Sequence, residues 1–231
     1  MHIRAANEES DNHPPGTIGV YTDHIARFSD FTVSLRGLEV PKGSIFSYSR
    51  GVYLAFNTNR FIREMEGEWL FLMDDDHRFE GDILMKLLDH DLDVVVAMTC
   101  KKFPPYPPVL YRNNKIMDIT GKSGLVEVEG CGKPGMLIRK HVLDAMDDPW
   151  CEFRDSTVGA EDLDFCTKIR EAGFKIYADL DIELAHLVPM AVLKQRDPNG
   201  NWGTLLGLGD RGVFLPDSTY PGELDMDVGN E

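Results

Sequence analysis

The stretch Trp69-Leu70-Phe71-Leu72-Met73-Asp74-Asp75-Asp76-His77 decides the fold of this chain. It begins with a continuous apolar run that is bounded by a glycine on one side and by acids on the other. A short, aromatic-rich run with these borders predicts a strand that is buried on both faces. A predicted helix, Ile83–Leu88, and a second apolar run, Asp93–Met98, follow it. This order of strand, acidic turn, helix and strand predicts a βαβ unit and a mainly parallel sheet.

Hydrophobic periodicity extends the same pattern in both directions. We therefore predict an α/β fold, with a Rossmann-like, mixed but mainly parallel sheet flanked by helices. Residues 1–16 are predicted to form a flexible N-terminal tail, residues 17–190 the α/β domain, and residues 191–231 an extension that is loop-like from Asp210 onward. The other predicted strands are Thr17–Tyr21, Ser44–Tyr48, Gly124–Glu129, Met136–Ile138, Phe174–Ala178 and Ile182–Ala185, and the other predicted helices are His24–Leu35, Val52–Met65, Lys140–Met146 and Glu161–Ala172.

The charge of the chain is strongly acidic, with 24 Lys and Arg against 39 Asp and Glu and a net charge of -15. Such a surface repels phosphate backbones at long range, which disfavours nonspecific binding of nucleic acid. The segment Cys100–Lys140 is an exception, because it holds eight Lys and Arg and three acids. This segment is either an ordinary solvated surface or a docking face for an anionic donor or acceptor.

Neither the apolar runs nor the cysteines indicate a membrane or a secreted protein. The apolar runs are far shorter than the ~20 residues that span a bilayer, so no membrane partner is expected. The four cysteines have none of the short spacings of a zinc or redox motif, and no secretory signal begins the chain. We expect free thiols in a reducing, cytoplasmic compartment.

The acidic run is the first candidate site. Ligands of open α/β sheets bind at the carboxyl ends of the strands, and alternation sends Asp74 and Asp76 to the same side. Two carboxylates on one side form half of a site for Mg²⁺ or Mn²⁺, which prefer oxygen ligands. The alternative is an acidic turn that caps the helix at Ile83.

Three further groups are candidates for chemistry. The acids Glu161 and Asp162 begin a predicted helix, where they either complement its dipole or supply a general base. His186 is either a structural histidine or a metal ligand. The loop around Gly132 and Lys133 lacks the ending of a Walker A motif, and its glycines favour close approach of the backbone to a ligand or a strand.

In this order the segments resemble the nucleotide-sugar glycosyltransferases of the glycosyltransferase A fold. The resemblance is to the inverting family of the cellulose and hyaluronan synthases, especially to its small soluble members in phage and bacteria. The segments that carry it are Trp69–His77, Gly132–Lys140 and Gly159–Asp179, with His186 beyond them. The most specific part is the Glu-Asp-x-Asp-Phe helix, followed by Ala-Gly-Phe-x-Ile-Tyr and a histidine.

The resemblance implies a role for each candidate residue. Asp76 would bind the divalent metal, Asp74 would contact the metal or the donor ribose, and His186 would be a third ligand. Asp162 takes the place of the general base. Asn57 or Asn59 lies where the family often has an Arg-Asn pair. The residues that the resemblance assigns to the donor are Thr22, Asp23, Asn57, Asp74, Asp75, Gly132, Lys133 and Glu161.

The resemblance also implies an activity. It implies transfer of a sugar, a hexose, from a UDP-sugar to an acceptor hydroxyl with inversion, assisted by Mn²⁺ or Mg²⁺. A glycan or a small molecule is the favoured acceptor, and a hydroxylated nucleobase in phage DNA stays open. A processive polymerase is not expected, because the synthase extensions of the family are lacking. The extension 191–231 is a candidate lid or acceptor-side element.

Three other readings of the same residues compete with the transferase. A haloacid-dehalogenase-like phosphatase also has Asp-x-Asp after a buried strand, but its usual Thr or Val is replaced by Arg78. A nucleotidyltransferase would carry a Gly-rich basic signature near the first strand. A non-catalytic metal- or nucleotide-binding module is the third reading, although Phe79 stands where a calcium loop needs Gly.

Overall fold

The computed structural model of this protein describes residues 2–4, 9–22, 28–51, 53–103, 105–152, 161–189, 191–208 and 211–216. The helices in these ranges are α1 Ser29–Arg36, α2 Leu54–Glu64, α3 Ile83–Asp89, α4 Lys140–Asp144 and α5 Glu161–Glu171. The strands are β1 His2–Arg4, β2 Glu9–Ser10, β3 Thr17–Thr22, β4 Val40–Pro41, β5 Ile45–Arg50, β6 Trp69–Asp74, β7 His77–Arg78, β8 Val94–Met98, β9 Leu110–Arg112, β10 Lys115–Ile116, β11 Leu125–Val128, β12 Gly130–Cys131, β13 Met136–Arg139, β14 Ile176–Glu183, β15 Ala185–His186, β16 Ala191–Arg196, β17 Trp202–Leu208 and β18 Arg211–Pro216. None of the described helices is long and apolar enough to cross a membrane.

The chain divides into two compact units. The first comprises Met1–Lys101 and Pro107–Leu187, and the second comprises Lys102–Tyr106 and Val188–Glu231. The domain boundary predicted from the sequence is at residue 190. Asp23 of the predicted donor site lies outside the described residues.

The central sheet of the first unit has eight strands in the order β1-β5-β3-β6-β13-β8-β14-β11. The strands β5, β3, β6, β8 and β14 run in one direction, and β1, β13 and β11 run against them. The predicted fold class, a mixed and mainly parallel sheet flanked by helices, is confirmed. The βαβ unit is present as β6-α3-β8, but the antiparallel strand β13 lies between its two strands.

Burial explains why helices cover both faces of this sheet. Every side chain from Trp69 to Met73 is fully buried. Leu70 and Leu72 belong to a core with residues of α2, α4 and α5, whereas Trp69, Phe71 and Met73 belong to a core with residues of α1 and α3. Successive residues of a strand point to opposite faces, so an apolar run without polar interruptions needs two apolar layers.

Two described parts of residues 1–16, the predicted flexible tail, pair with other strands of the first unit. The strand β1 pairs with β5, and β2 pairs with β4. The indole Nε1 of Trp69 donates to the carbonyl oxygen of Pro14 at 2.9 Å, and the amide of Glu68 donates to that of Pro15 at 2.9 Å. The prediction relied on polar side chains, but these contacts use backbone groups, whose pairing does not depend on side-chain hydropathy.

Two predictions in the C-terminal half are wrong. The predicted strands Phe174–Ala178 and Ile182–Ala185 form one strand, β14, with a register shift between Asp179 and Glu183, and β15 follows it. The segment after Asp210, predicted as loop, contains β18, which completes the antiparallel sheet β16-β17-β18. Gly212 and Pro216 lie within β18, and because both residue types have a low strand propensity, the sequence did not predict this strand.

The turn predicted at Asp197 is confirmed, since its Oδ1 accepts hydrogen bonds from the amides of Asn199 and Asn201.

A small sheet, β10-β9-β12, lies beside the central one. Its hairpin turns at Asn113 and Asn114, whose φ angles of 52° and 57° are typical of a two-residue turn between antiparallel strands. A Cβ at Gly130 of β12 would lie 2.7 Å from Cδ2 of Leu163 on α5, so a larger residue there would have to displace this side chain. The small sheet and α5 therefore pack closely.

The contact between Gly16 and Trp69 yields a test of the ordered N-terminus. A Cβ at Gly16 would lie 2.2 Å from the Trp69 ring, which is fully buried. We expect Gly16→Ala to lower the free energy of unfolding by about 1–3 kcal/mol, because the ring has to move within a packed core. Urea unfolding, followed by circular dichroism, measures this loss.

The matched control is Gly37→Ala. A Cβ at Gly37 would lie 3.6 Å from its nearest neighbour, an ordinary contact. This change should stay within about 0.5 kcal/mol of the parent. Equal stability of both variants would contradict the contact.

Candidate active site

The sheet topology brings most of the predicted site residues to one edge. The strands β3 and β6 are parallel and end at Thr22 and Asp74. The strand β13 runs the other way, so the loop that precedes it, with Gly132 and Lys133, lies at the same edge. This carboxyl edge is where open α/β sheets bind their ligands.

The acidic turn after β6 meets His186 through a short strand pair. The strands β7 and β15 are antiparallel, with His77 opposite His186, and the amide of Leu187 donates to the carbonyl oxygen of Asp76 at 2.7 Å. Oδ2 of Asp76 then lies 3.6 Å from Nε2 of His186. Two residues that are 110 positions apart in the chain are brought side by side by this pairing.

Hydrogen bonding fixes the tautomer of His186. Its Nδ1 lies 2.8 Å from the carbonyl oxygen of Cys100, and a carbonyl can only accept, so Nδ1 carries the proton. Nε2 is then the nitrogen with a lone pair, and it is the one that faces Asp76. A backbone carbonyl that accepts a hydrogen bond from one ring nitrogen and so orients the other is typical of histidines that bind metals.

The structure adds His77 to this group. His77 is fully buried, its Nδ1 lies 2.9 Å from Oδ1 of Asp76, and its ring stacks on that of His186 with the centroids 4.2 Å apart. One donor atom from each of Asp76, His77 and His186 lies within 4.8 Å of the others. Asp74 and Asp75 are not in this group. Sequence reasoning did not assign His77, because its contact with His186 depends on pairing between distant strands.

The acids of α5 meet the glycine-rich loop through Lys133. Its Nζ lies 3.0 Å from Oδ1 of Asp162 and 3.6 Å from Oε1 of Glu161, and only 2% of its side chain is exposed. Burial alone lowers the pKa of Lys133. The negative charge of Asp162 raises this pKa, and smaller effects of Tyr21, Cys151 and Glu161 act in the same direction, so that the pKa lies above its ordinary value. Lys133 is therefore a permanent cation inside the protein.

Two glycines, Gly132 and Gly135, allow the backbone conformation of the loop that carries Lys133. Gly135 has a φ of 76°, and a Cβ there would lie 2.9 Å from Cδ2 of Leu184. A Cβ at Gly132 would lie 3.9 Å from Oδ2 of Asp162, so the loop backbone passes close to this carboxylate. The close approach expected of these glycines is thus present, to a helix N-terminus and a strand end.

Tyr21 supports the ion pair from the end of β3. The ammonium of Lys133 lies 5.7 Å from the centroid of the Tyr21 ring. The Tyr21 hydroxyl lies 2.7 Å from Oγ1 of Thr58, and burial raises the pKa of Tyr21 far above its usual value, so its ring faces the cation as a neutral phenol.

The predicted donor residues Thr22 and Asn57 are buried and bonded to backbone. Oγ1 of Thr22 donates to the carbonyl oxygen of Ser49 at 2.7 Å, and Nδ2 of Asn57 donates to that of Gly51 at 3.1 Å. Asn59, the alternative to Asn57, exchanges two hydrogen bonds with the backbone of Cys151, at 2.7 and 2.9 Å. The Asn57 bond stabilises the connection between β5 and α2, the Thr22 bond joins the ends of β3 and β5, and Asn59 joins α2 to the segment after α4. A role of these residues toward a donor stays a prediction.

A cleft of about 340 Å³ lies between α5 and the small sheet. Asp162, Thr167 and Arg170 of α5 line one side, and Lys101, Tyr111 and Glu129 line the other. All four cysteines are free, as expected, and Cys131 lies in the wall of this cleft. The sequence did not single out Tyr111 or Arg170, which line one cleft only because the small sheet packs on α5.

No protein-family model matches this sequence, and no curated protein sequence matches it. Among solved structures, the chain is similar to A197 from STIV, with a TM-score of 0.56, 16% identity, and coverage of 80% of this chain and 92% of A197. It is more weakly similar to S. aureus TarS 1-349, with a TM-score of 0.46, 14% identity, and coverage of 74% of this chain and 60% of that one. TarS 1-349 in complex with UDP-GlcNAc gives a TM-score of 0.46 at 16% identity, with coverage of 76% and 59%. At 16% identity, the likeness to A197 shows a similar fold and nothing beyond it.

The buried ion pair yields a stability test. Lys133→Gln removes the cation that offsets the charges of Asp162 and Glu161, whose side chains are 24% and 16% exposed. We expect a loss of about 2–4 kcal/mol in the free energy of unfolding, below the full effect of a completely dry pair because the acids retain some water. Urea unfolding measures it.

Lys140→Gln is the control for this test. Lys140 pairs with Asp144 at 2.6 Å, but both side chains are about half exposed. Its loss should stay below about 0.5 kcal/mol, as for other exposed pairs. A loss from Lys133→Gln no larger than that would contradict a buried, structural ion pair.

Proposed function

We propose that this protein transfers a sugar from a nucleotide-sugar donor, a UDP-sugar, to an acceptor hydroxyl, with inversion at the anomeric carbon. The observation that carries the proposal is the meeting of Asp76 with His186 at the carboxyl edge of the sheet. The sequence resemblance implied that these two residues are metal ligands. It was based on sequence motifs alone, so the contact between the two side chains is an independent observation. The cleft that holds Asp162 supplies the second element, a carboxylate beside open space.

The group of Asp76, His77 and His186 fits a divalent cation. Ligands about 2.0–2.2 Å from one metal lie roughly 3–3.5 Å apart, and Oδ2 of Asp76 and Nε2 of His186 are 3.6 Å apart. The donor set mixes a carboxylate with imidazoles, which Mn²⁺ accepts more readily than the oxygen-seeking Mg²⁺. A cation held there would act as a Lewis acid that stabilises the charge of the leaving diphosphate.

Asp162 is the proposed general base. The acceptor oxygen forms a bond to the anomeric carbon, the bond from that carbon to the diphosphate oxygen breaks, and UDP leaves with the electron pair. The proton of the acceptor hydroxyl passes to the carboxylate of Asp162, a step that typically contributes about 10²–10⁴-fold. Lys133 holds Oδ1 at 3.0 Å, so Oδ2 is the oxygen assigned to the proton. The same ammonium offsets the repulsion between Asp162 and Glu161.

The metal site is tested by calorimetric titration of UDP, once with Mn²⁺ and once with a chelator. We expect binding only with Mn²⁺, and Asp76→Asn should weaken it by at least about 10–100-fold, the range seen even for residues that only support a metal ligand. Electron spin resonance of bound Mn²⁺ should show nitrogen couplings that are reduced in His186→Gln.

Asp147→Asn controls for the loss of one negative charge. Asp147 is exposed and lies after α4, and its replacement should leave the titration unchanged. UDP binding that resists the chelator and Asp76→Asn would refute the metal site. Binding of other nucleoside diphosphates in place of UDP would move the donor to another base.

The general base is tested by Asp162→Asn. We expect this variant to lose at least about 10²-fold in the rate of UDP release from a panel of UDP-sugars, with water as the acceptor, because the carboxylate assigned to the proton is gone. Metal-dependent UDP binding should persist. A thermal unfolding scan checks that the variant is folded.

Asp164→Asn is the matched variant, since Asp164 is also an acid of the first turn of α5 but does not line the cleft. It should retain the rate of the parent. Turnover by Asp162→Asn at the parent rate would remove Asp162 from the mechanism.

A further inference from the structure

The cleft beside Asp162 holds two cations that form no ion pair within the described part of the chain, Lys101 and Arg170. The ammonium of Lys101 lies 5.8 Å from the centroid of the Tyr111 ring. Nη1 of Arg170 lies 3.4 Å from the backbone carbonyl oxygen of Glu129. A ring face and a carbonyl stabilise a cation only partly, so both side chains can still bind an anion.

The acids of the same cleft already have partners. Asp162 pairs with Lys133 at 3.0 Å, and Oε2 of Glu129 accepts the amide of Asn113 at 2.6 Å. The two acids keep their charge, but each is engaged by another group of the protein, whereas the charged ends of Lys101 and Arg170 have no carboxylate partner within the described part of the chain. These two cations are therefore the charged groups of the cleft that are left to bind a ligand, and a ligand that they attract is an anion.

Lys101 connects the cleft to the proposed metal group along the chain. Lys101 directly follows Cys100, whose carbonyl oxygen accepts Nδ1 of His186. Asp162 and Arg170 are eight positions apart on α5, which corresponds to about 12 Å along a helix at 1.5 Å per residue. A ligand with its hydroxyl at Asp162 can therefore reach Arg170 with a group at its other end.

We propose, given the transfer reaction above, that this cleft binds the acceptor and that the acceptor carries a phosphate or carboxylate group. Arg170 holds this group with its planar guanidinium, which matches both anions with two parallel hydrogen bonds. Lys101 adds a second positive charge, and Tyr111 offers a flat apolar face to the carbon skeleton. The hydroxyl that attacks the sugar lies at the other end, at Asp162.

Binding of small probes without nucleotide or metal tests this proposal. Glucose 6-phosphate and glucuronate carry the two candidate anions, and glucose is their uncharged counterpart. We expect, by saturation-transfer NMR titration, that at least one anionic probe binds about tenfold more tightly than glucose, as one charge-assisted hydrogen-bond pair predicts. The anion that binds more tightly identifies the group.

Single substitutions locate the anion. Arg170→Gln and Lys101→Gln should each remove most of the preference for the anionic probe. The control is Lys115→Gln, which removes the same charge from an exposed position of the small sheet outside the cleft. Loss of the preference in Lys115→Gln as well would indicate a general charge effect and overturn the proposal. An unchanged preference in Arg170→Gln would overturn it too, and so would equal affinity for glucose and both anions.

Two further titrations distinguish an acceptor site from a donor site and from a nucleic-acid site. UDP with Mn²⁺ should bind Arg170→Gln as it binds the parent, and an equal loss for UDP would assign the cations to the donor and overturn the acceptor site. A labelled DNA strand that binds more tightly than either probe, and depends on Arg170, would replace the small acceptor by a nucleic acid. If UDP does not bind with the metal but the preference for the anionic probe is intact, the transferase is refuted and the anion site is not.

Discussion

The complete burial of Trp69–Met73 is the constraint on which the rest of the molecule depends. A strand whose side chains are all removed from water needs an apolar layer on each face, and here the helices α1 and α3 cover one face while α2, α4 and α5 cover the other. The three carboxylates that follow cannot enter those layers, since a buried charge without a partner is far too unfavourable. They are therefore confined to the edge of the sheet, which is where the other polar loops also end.

The antiparallel strand β13 organises this edge. It lies between β6 and β8, so the loop before it lies between the acidic turn and the segment that begins at Cys100. In a purely parallel sheet this place would be taken by the start of a helix. Here a loop with Lys133 takes it, and the ammonium of Lys133 lies beside the acids at the start of α5. The reversed strand thus determines the electrostatics of the site as well as the order of the sheet.

The extent of prediction from sequence follows from how local each signal is. The strand β6, the helix α5 and the turn at Asp197 were predictable because each has its apolar run, cap or turn residues within a few positions. The insertion of β13 was not, because pairing partners of a four-residue strand leave no trace in its own sequence. The order of the N-terminal segment was missed for a related reason, since the bonds to Pro14 and Pro15 involve backbone groups that every residue has.

The same distinction applies to the site. Asp76, Asp162 and His186 stand in recognisable motifs, but the contact of His77 with His186 and that of Lys133 with Asp162 follow only from the tertiary structure. The two centres also differ in how their charge is balanced. Asp162 has a permanent cation at 3.0 Å, so its carboxylate is neutralised by the protein itself. Asp76 faces two imidazoles, which are neutral in the form that binds a metal. A carboxylate with neutral nitrogen neighbours attracts a further positive charge, whereas one with an ammonium beside it does not. The difference argues that a cation, where one binds, belongs at Asp76 and not at Asp162.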